Sequence, residues 1–352
     1  MRFETTIHRP FEVSGVGLHS GVPVNLRMTP APAGTGIVFR RTDLDFFSIP
    51  ASWKNVARVS YATSLMRQGV LIQTTEHLLS TLYSFAIDNA YVEIDNLEVP
   101  ILDGSGKPFV DLLRAVGVRQ LRRRRKYLRI RRPVTVVDGK KRISILPDDA
   151  FRLTCEIDFP PPIGKQSLEI EVTPERYAAE LSPARTFGFE RELDQLREMG
   201  LIRGASLDSA LCFTAGGVMN PGGLRFADEC CRHKALDLIG DLALIGRPLL
   251  GHVITLGAAF RCPVHSLLQD AQKLRCNLFR ARCGRFDSRS REFSGRSFEL
   301  AEDLGCFHSG WWLTPFLRVG RFSCQPLRPS APPRRAWPVD RTSRYRIARS
   351  PT

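Results

Sequence analysis

The sequence has no CxxC pair, and its nine cysteines are an odd number, which fits neither a zinc ribbon nor a closed disulfide framework. The thiols read as reduced. A long uninterrupted apolar run is also missing: Leu238 to Phe260 is broken by Asp241, Arg247 and His252 and falls short of a membrane span. The start, MRFETTIHRPFEV, has no apolar segment behind a basic one, which argues against a secretory signal and for a cytoplasmic protein. Acidic residues are scarce mainly at one end. Residues 261 to 352 hold 17 Arg and one Lys against seven acids, so +11 of the formal +15 lies there and only +4 in residues 1 to 260. That uneven basicity, without a nucleic-acid-binding motif, argues against nucleic acid as a partner.

What is present is 352 residues, 43% hydrophobic, enough for two ordinary domains with real cores. In Ala90-Tyr-Val-Glu-Ile-Asp95 and Phe151-Arg-Leu-Thr-Cys-Glu-Ile-Asp158 every second residue is apolar, as half-buried strands require. Val134 to Val137 and Arg142 to Leu146 flank Asp138-Gly139, a dipeptide suited to a hairpin. Helical spacing is read over Thr75 to Ile87, with Thr74 and Thr75 as caps, over Glu190 to Met199, and over Asp228 to Ile245, where Ala235, Leu238, Ile239 and Leu242 form a stripe. Strands followed by helices, twice over, predict an α+β fold with two sheet-and-helix layers. The domains are placed at 1–122 and 131–257, with a basic linker at 123–130 around Arg122-Arg-Arg-Arg-Lys126. That run reads as solvated, with a phosphate or membrane-surface contact as the alternative. From about 258 to 352 no period persists, and five of nine Cys and three of four Trp accumulate with Arg, so no packed domain is expected there.

Chemistry concentrates on few residues. His233 and Asp237 are four apart and share one helix face, where they can offer two ligands to one zinc, with Asp241 a turn further on. Alone, that spacing is a weak signal and reads first as a solvated helix face. An acidic line within so apolar a helix, however, would be costly to bury unpaired. Glu76-His77 is the natural candidate for a third ligand: His77, His233 and Asp237 would complete a His₂Asp set, with Glu76, not a ligand, to take the proton of the metal-bound water, although a lone Glu-His pair in a helix is usually structural.

Longer motifs carry a family resemblance. Gly15-Val-Gly-Leu-His-Ser-Gly21, Thr74-Thr-Glu-His-Leu-Leu-Ser80, Pro100-Ile-Leu-Asp-Gly-Ser105, Ala184-Arg-Thr-Phe-Gly-Phe189, Gly223-Leu-Arg-Phe226 and Arg232-His-Lys-Ala-Leu-Asp-Leu-Ile-Gly-Asp241 resemble, in this order, the motifs of UDP-3-O-acyl-N-acetylglucosamine deacetylases. These are the zinc amidases of lipid A synthesis in Gram-negative bacteria. The resemblance runs from residue 1 to about 257. It implies two similar domains, each a β-sheet with two helices, the helices packed between the sheets. It also implies zinc on His77, His233 and Asp237, Glu76 as general base, Thr186 as the hydroxyl at the oxyanion and Lys234 beside the anionic nucleotide-sugar. The neighbourhood of Phe187, Phe189, Leu201, Ile202 and Ser206 resembles the family's acyl-chain passage. A UDP-linked acylated glucosamine is then the substrate of a cytoplasmic monomer without a transmembrane segment, in transient contact with the inner membrane surface.

The resemblance stops at the group that protonates the leaving amine. The family uses a histidine in a Gly-His motif, oriented by the aspartate matching Asp241. The corresponding spacing falls on Ala259-Phe260; His252 comes too early and His265 too late. A change of reading frame near codon 257 accounts for this loss and for the aperiodic tail together. Genuine divergence with His265 recruited as acid is the alternative. An active amidase and an impaired zinc- and UDP-sugar-binding relative therefore both remain as expectations.

Overall fold

Burial follows the period-two patterns. Ala90, Val92 and Ile94 are buried with half-buried residues between them, and Phe151, Leu153, Cys155 and Ile157 all turn inward. The protein is seen in a computed structural model that describes residues 3–57, 61–138 and 141–257, with the backbone of Tyr345–Arg346. These residues belong to one of two compact units of the chain; the other, Gly284–Ala336, contains no described residue.

Two sheets repeat one plan. The first runs Phe11–Val16, Pro23–Pro30, Ala90–Ile94, Ile37–Arg41, Phe47–Pro50, with the short strand Tyr345–Arg346 along its Phe11–Val16 edge. The second runs Val134–Asp138, Lys141–Leu146, Leu249–Leu256, Phe151–Asp158, Lys165–Glu171. In each, the middle strand is antiparallel to one neighbour, Pro23–Pro30 or Lys141–Leu146, and parallel to the other, Ile37–Arg41 or Phe151–Asp158. A parallel pair needs a crossover connection, and a helix lies on each crossover: Glu76–Ser84 before Ala90–Ile94, and Glu229–Ala243 before Leu249–Leu256. The fold is α+β, as the order of strands and helices predicts.

Both helices bury apolar stripes, Leu78, Leu79 and Leu82 in the first core and Ala235, Leu236, Ile239 and Leu242 in the second. The cores share their helical layer. Val110 of the Lys107–Val116 helix packs in the second core, and Leu244 after the Glu229–Ala243 helix packs in the first. Close approach of the site helices depends on Gly240, where an added Cβ would lie 2.2 Å from the Glu76 carbonyl oxygen. That obstacle is backbone and cannot swing away. Gly240→Ala is expected to cost about 1–3 kcal/mol or more, read as a lower Tm; a wild-type Tm would mean that the helices can part freely.

The structure corrects some local expectations. Thr75 holds the N-cap position without a side-chain cap bond, and its hydroxyl donates instead to the Thr63 carbonyl at 3.0 Å. Thr74 donates to Glu98 Oε1 at 2.7 Å. Both hydroxyls tether loops rather than cap the helix. Arg122 to Arg124 lie in the strand Val118–Arg124, antiparallel to Phe3–Ile7, and Arg125 is buried with Nη2 2.6 Å from Asp88 Oδ2. Arg122, Arg123, Arg124 and Lys126 are exposed, as read, but the run begins as paired strand rather than linker, and Arg125 turns inward where Asp88 offers it a buried partner. The expected helix over Glu190 to Met199 is a 3₁₀ turn, Glu190–Glu192, leading into the helix Leu193–Glu198. The Lys107–Val116 helix, absent from the periodicity reading, opens with Pro108 in its first turn and stops at Gly117, φ 77°. Gly139, Ala259-Phe260 and His265 lie outside the described residues, as does the tail apart from the Tyr345–Arg346 backbone. Among the described residues no helix is long and apolar enough to cross a membrane.

Candidate metal centre

Where the two site helices meet, three donors converge. The Glu76–Ser84 helix contributes His77 from its first turn, and the Glu229–Ala243 helix contributes His233 and Asp237 from successive turns. Asp237 Oδ1 lies 3.6 Å from His77 Nε2 and 3.3 Å from His233 Nε2, and all three ligand atoms fall within 4.8 Å of one another. The imidazoles meet edge to face, centroids 4.9 Å apart at 86°.

These residues fit a divalent cation. Asp237 Oδ1 is a buried oxygen with no hydrogen-bond partner, while Oδ2 accepts from Lys234 Nζ at 2.8 Å. An uncompensated buried carboxylate oxygen facing two imidazole nitrogens is costly unless a cation satisfies it. His233 Nδ1 faces the Ala184 carbonyl at 3.0 Å, so the tautomer that donates there leaves the Nε2 lone pair directed at Asp237. Protonation states agree. Burial, reinforced by His233, holds His77 down at about 3, and burial lowers His233 as well, so both rings are neutral donors at pH 7. Burial pushes Asp237 up, but His233, Lys234 and His77 together outweigh it and bring it to about 2, so it stays ionised.

Glu76 is buried beside this cluster, and its Oε2 accepts from the Thr63 backbone N–H at 3.1 Å. Burial and then the Asp237 charge raise its carboxyl well above the ordinary range, which suits a group that must accept and release a proton. Asp241, one turn beyond Asp237, accepts from the Thr63 hydroxyl at 2.5 Å. Burial pushes Asp241 up to about 7, with the Asp237 charge adding and the Thr63 hydroxyl opposing. Folded Asp241 therefore holds its proton more tightly than the unfolded chain, whose ordinary value is 3.8. Its contribution to stability is complete below pH 3.8 and is lost as the pH rises through about 7. At pH 8 metal-free Asp241→Asn is expected to be more stable to unfolding than the metal-free wild type, by at most about 4 kcal/mol, to melt at a higher temperature, and to depend less on pH between 5 and 8. Parallel Tm-against-pH curves for the two proteins would refute the shift.

Thr186 is held from both sides, its N–H donating to Gly104 O at 2.8 Å and its carbonyl accepting from Leu211 N at 2.7 Å. It sits between Ala184, bound to His233, and Phe187, whose ring lies 6.4 Å from the His233 ring. The Phe187 ring also lies 5.4 Å from Lys234 Nζ. Phe187 and Phe189 cluster with Phe159 and Phe213 into an aromatic wall running from the donors. Ser206 is engaged in its own turn, where its carbonyl accepts from Ser209 N at 3.1 Å and Ala210 N at 3.0 Å. The segment around Leu201 and Ile202 meets the Gly15 to Gly21 motif through Arg203 N to His19 O, 3.2 Å, and Gly204 N to Leu18 O, 3.1 Å. His252 lies in the strand Leu249–Leu256 and faces Thr154 Oγ1 at 2.8 Å, away from this chemistry. Sequence reasoning misses Thr63, which joins Glu76 to Asp241, and Glu229, which grips Arg185. Thr63 has no local signal; Glu229 has one, an acid one turn before His233 in an apolar helix.

Comparison with known proteins identifies the family of the chain. The family model described as UDP-3-O-acyl N-acetylglycosamine deacetylase matches residues 4–269. A UDP-3-O-acyl-N-acetylglucosamine deacetylase of Solibacter usitatus (strain Ellin6076) is 74% identical over 254 residues, covering 72% of this chain and 86% of the relative. Enzymes of the same name from Myxococcus xanthus (strain DK1622) and Syntrophotalea carbinolica are 47% identical over 252 residues and 46% over 255, covering 71% and 72% of this chain and 80% and 82% of theirs. The family match continues past residue 257 but ends well before the end of the Arg-rich tail.

Proposed function

This chain belongs to the UDP-3-O-acyl N-acetylglycosamine deacetylase family, and on that footing we propose that it hydrolyses the acetamide of UDP-3-O-acyl-N-acetylglucosamine. The products are UDP-3-O-acyl-glucosamine and acetate, and the reaction is the committed step of lipid A biosynthesis. The convergence of His77, His233 and Asp237, with Glu76 alongside, is the observation that carries this reading.

A His₂Asp set suits zinc, which supplies carbonyl polarisation and acidification of water when bound. Glu76 Oε1, the oxygen not engaged by Thr63, takes the proton of the attacking water. The Thr186 hydroxyl donates to the oxygen that gains negative charge, a contribution that can reach about 10²-fold. Lys234, held by Asp237, keeps its ammonium charge because that carboxylate outweighs the burial that would lower it, and the charge favours an anionic substrate. Phe187 and Phe189 line the path for the acyl chain, with Ser206 at its far end. The amine leaves with a proton returned by Glu76, the buried carboxyl with a raised affinity for it, and Asp241 anchors Thr63 on the opposite side.

The Gly-His position of the family is occupied here by Ala259-Phe260. That substitution favours a second reading, a relative that binds zinc and the UDP-sugar but turns over about 10²- to 10⁴-fold more slowly for want of an acid. Zinc analysis and a deacetylation assay on the same preparation separate the two: zinc with turnover supports the amidase, zinc without turnover the impaired relative, and neither result rejects both.

We further place the enzyme in the cytoplasm as a monomer of two halves divided near residues 123–130, meeting the inner membrane transiently where its acylated substrate resides. Arg119, Arg122, Arg124 and Lys126 are exposed and have no acidic partner among the described residues. Co-sedimentation with anionic vesicles is expected to exceed that with zwitterionic ones and to fall with salt; equal binding to both would remove this contact.

A further inference from the structure

Glu229 opens the helix that carries His233 and is 0% exposed. Its carboxylate is fully engaged. Oε1 accepts from Arg185 N at 3.0 Å and Arg185 Nε at 2.9 Å, and Oε2 accepts from Arg185 Nη2 at 3.2 Å and Arg225 N at 2.5 Å. The Arg185 N–H belongs to the same peptide unit as the Ala184 carbonyl, which His233 Nδ1 meets at 3.0 Å. A trans peptide directs its N–H and C=O to opposite sides. Glu229 and His233, one turn apart on one helix face, are thus bridged by a single peptide plane from another part of the chain.

We propose that Glu229 is a positioning residue for the metal centre, acting through the Ala184–Arg185 peptide to hold His233 in its Nδ1–H tautomer and to strengthen its Nε2 as a ligand. The physical basis is polarisation. A carboxylate on the N–H side makes the carbonyl a better acceptor, and a better acceptor makes the imidazole a more basic donor to a cation. The next residue along the bridging segment is Thr186, so the same grip fixes the hydroxyl assigned to the oxyanion. This inference rests on the metal-site reading above.

Zinc affinity, measured by chelator competition, and the visible spectrum of the Co²⁺-substituted protein test it, each beside a Tm. Glu229→Gln keeps an oxygen for the Arg185 N–H but removes the charge, and is expected to weaken zinc about 10- to 100-fold. Because that change also leaves Arg185 buried without its partner, Arg185→Met/Glu229→Gln is the companion, removing both charges at once. A double variant that melts like wild type and still binds zinc 10-fold or more weakly supports the relay; one that binds zinc at wild-type affinity overturns it and leaves Glu229 a structural ion pair. A measurement on the unaltered metal-free protein is independent of folding defects: ¹⁵N chemical shifts must report Nδ1–H for His233, and an Nε2–H tautomer overturns the proposal. Failure of the wild type itself to bind zinc would instead remove the metal-site reading, and the relay with it.

Discussion

Glu76→Gln is expected to lower the rate of deacetylation by about 10²- to 10⁴-fold while the protein retains its zinc. Glu76 lies outside the donor set, and its Oε2 is tied to the Thr63 N–H at 3.1 Å. Glutamine preserves the shape and one acceptor oxygen, so Thr63 keeps its bond and the neighbouring His77 keeps its place. What disappears is a carboxylate able to take a proton, and with burial raising the carboxyl well above the ordinary range, that proton is held firmly enough to be passed on. The loss therefore belongs in kcat, with metal content by elemental analysis matching the wild type. A zinc-loaded variant within a few-fold of wild-type kcat would remove Glu76 from the chemistry.

Asp237→Asn is expected to reverse that pattern and release the metal. Asp237 is the carboxylate that both imidazoles face, at 3.3 and 3.6 Å, and its Oδ1 has no hydrogen-bond partner. Asparagine fills the same volume, which separates charge from packing. Loss of zinc affinity is expected to exceed the roughly 10- to 100-fold typical of outer-shell changes, because a charged ligand is removed and Lys234 loses its counter-charge at 2.8 Å. Dialysis against a mild chelator should strip the variant and spare the wild type. Equal retention of zinc by both proteins would displace Asp237 from the ligand set. Together the two variants separate rate from metal: one keeps zinc and loses turnover, the other loses both.

Much of the architecture is readable locally. The alternation in Phe151–Asp158 and Ala90–Ile94 matches their buried faces, and the stripe of Ala235, Leu238, Ile239 and Leu242 falls within the Glu229–Ala243 helix. These succeed because pleat and helix periods depend only on neighbours in the chain. Thr74 and Thr75 fail as caps for the opposite reason: a hydroxyl beside a helix start can bond the helix or a passing loop, and here loops at Thr63 and Glu98 compete successfully. The basic run is solvated as read except at Arg125, and counting charges cannot disclose that Asp88 gives that one residue a buried partner.

Residue order alone accounts for the strands with clear alternation, the two site helices, the His233 and Asp237 pair on one face and the family resemblance up to about residue 257. The meeting of that pair with His77 depends on the close approach of the two helices at Gly240. Tertiary structure decided the rest: the orphaned Asp237 oxygen, the Thr63 bridge from Glu76 to Asp241, and the peptide that links Glu229 to His233. The physical reason is distance along the chain. Thr63 and Asp241 are 178 residues apart, and Ala184 and His233 are 49 apart. No period of 2 or 3.6 reaches so far, and such bonds exist only once two cores have brought their helices into one layer.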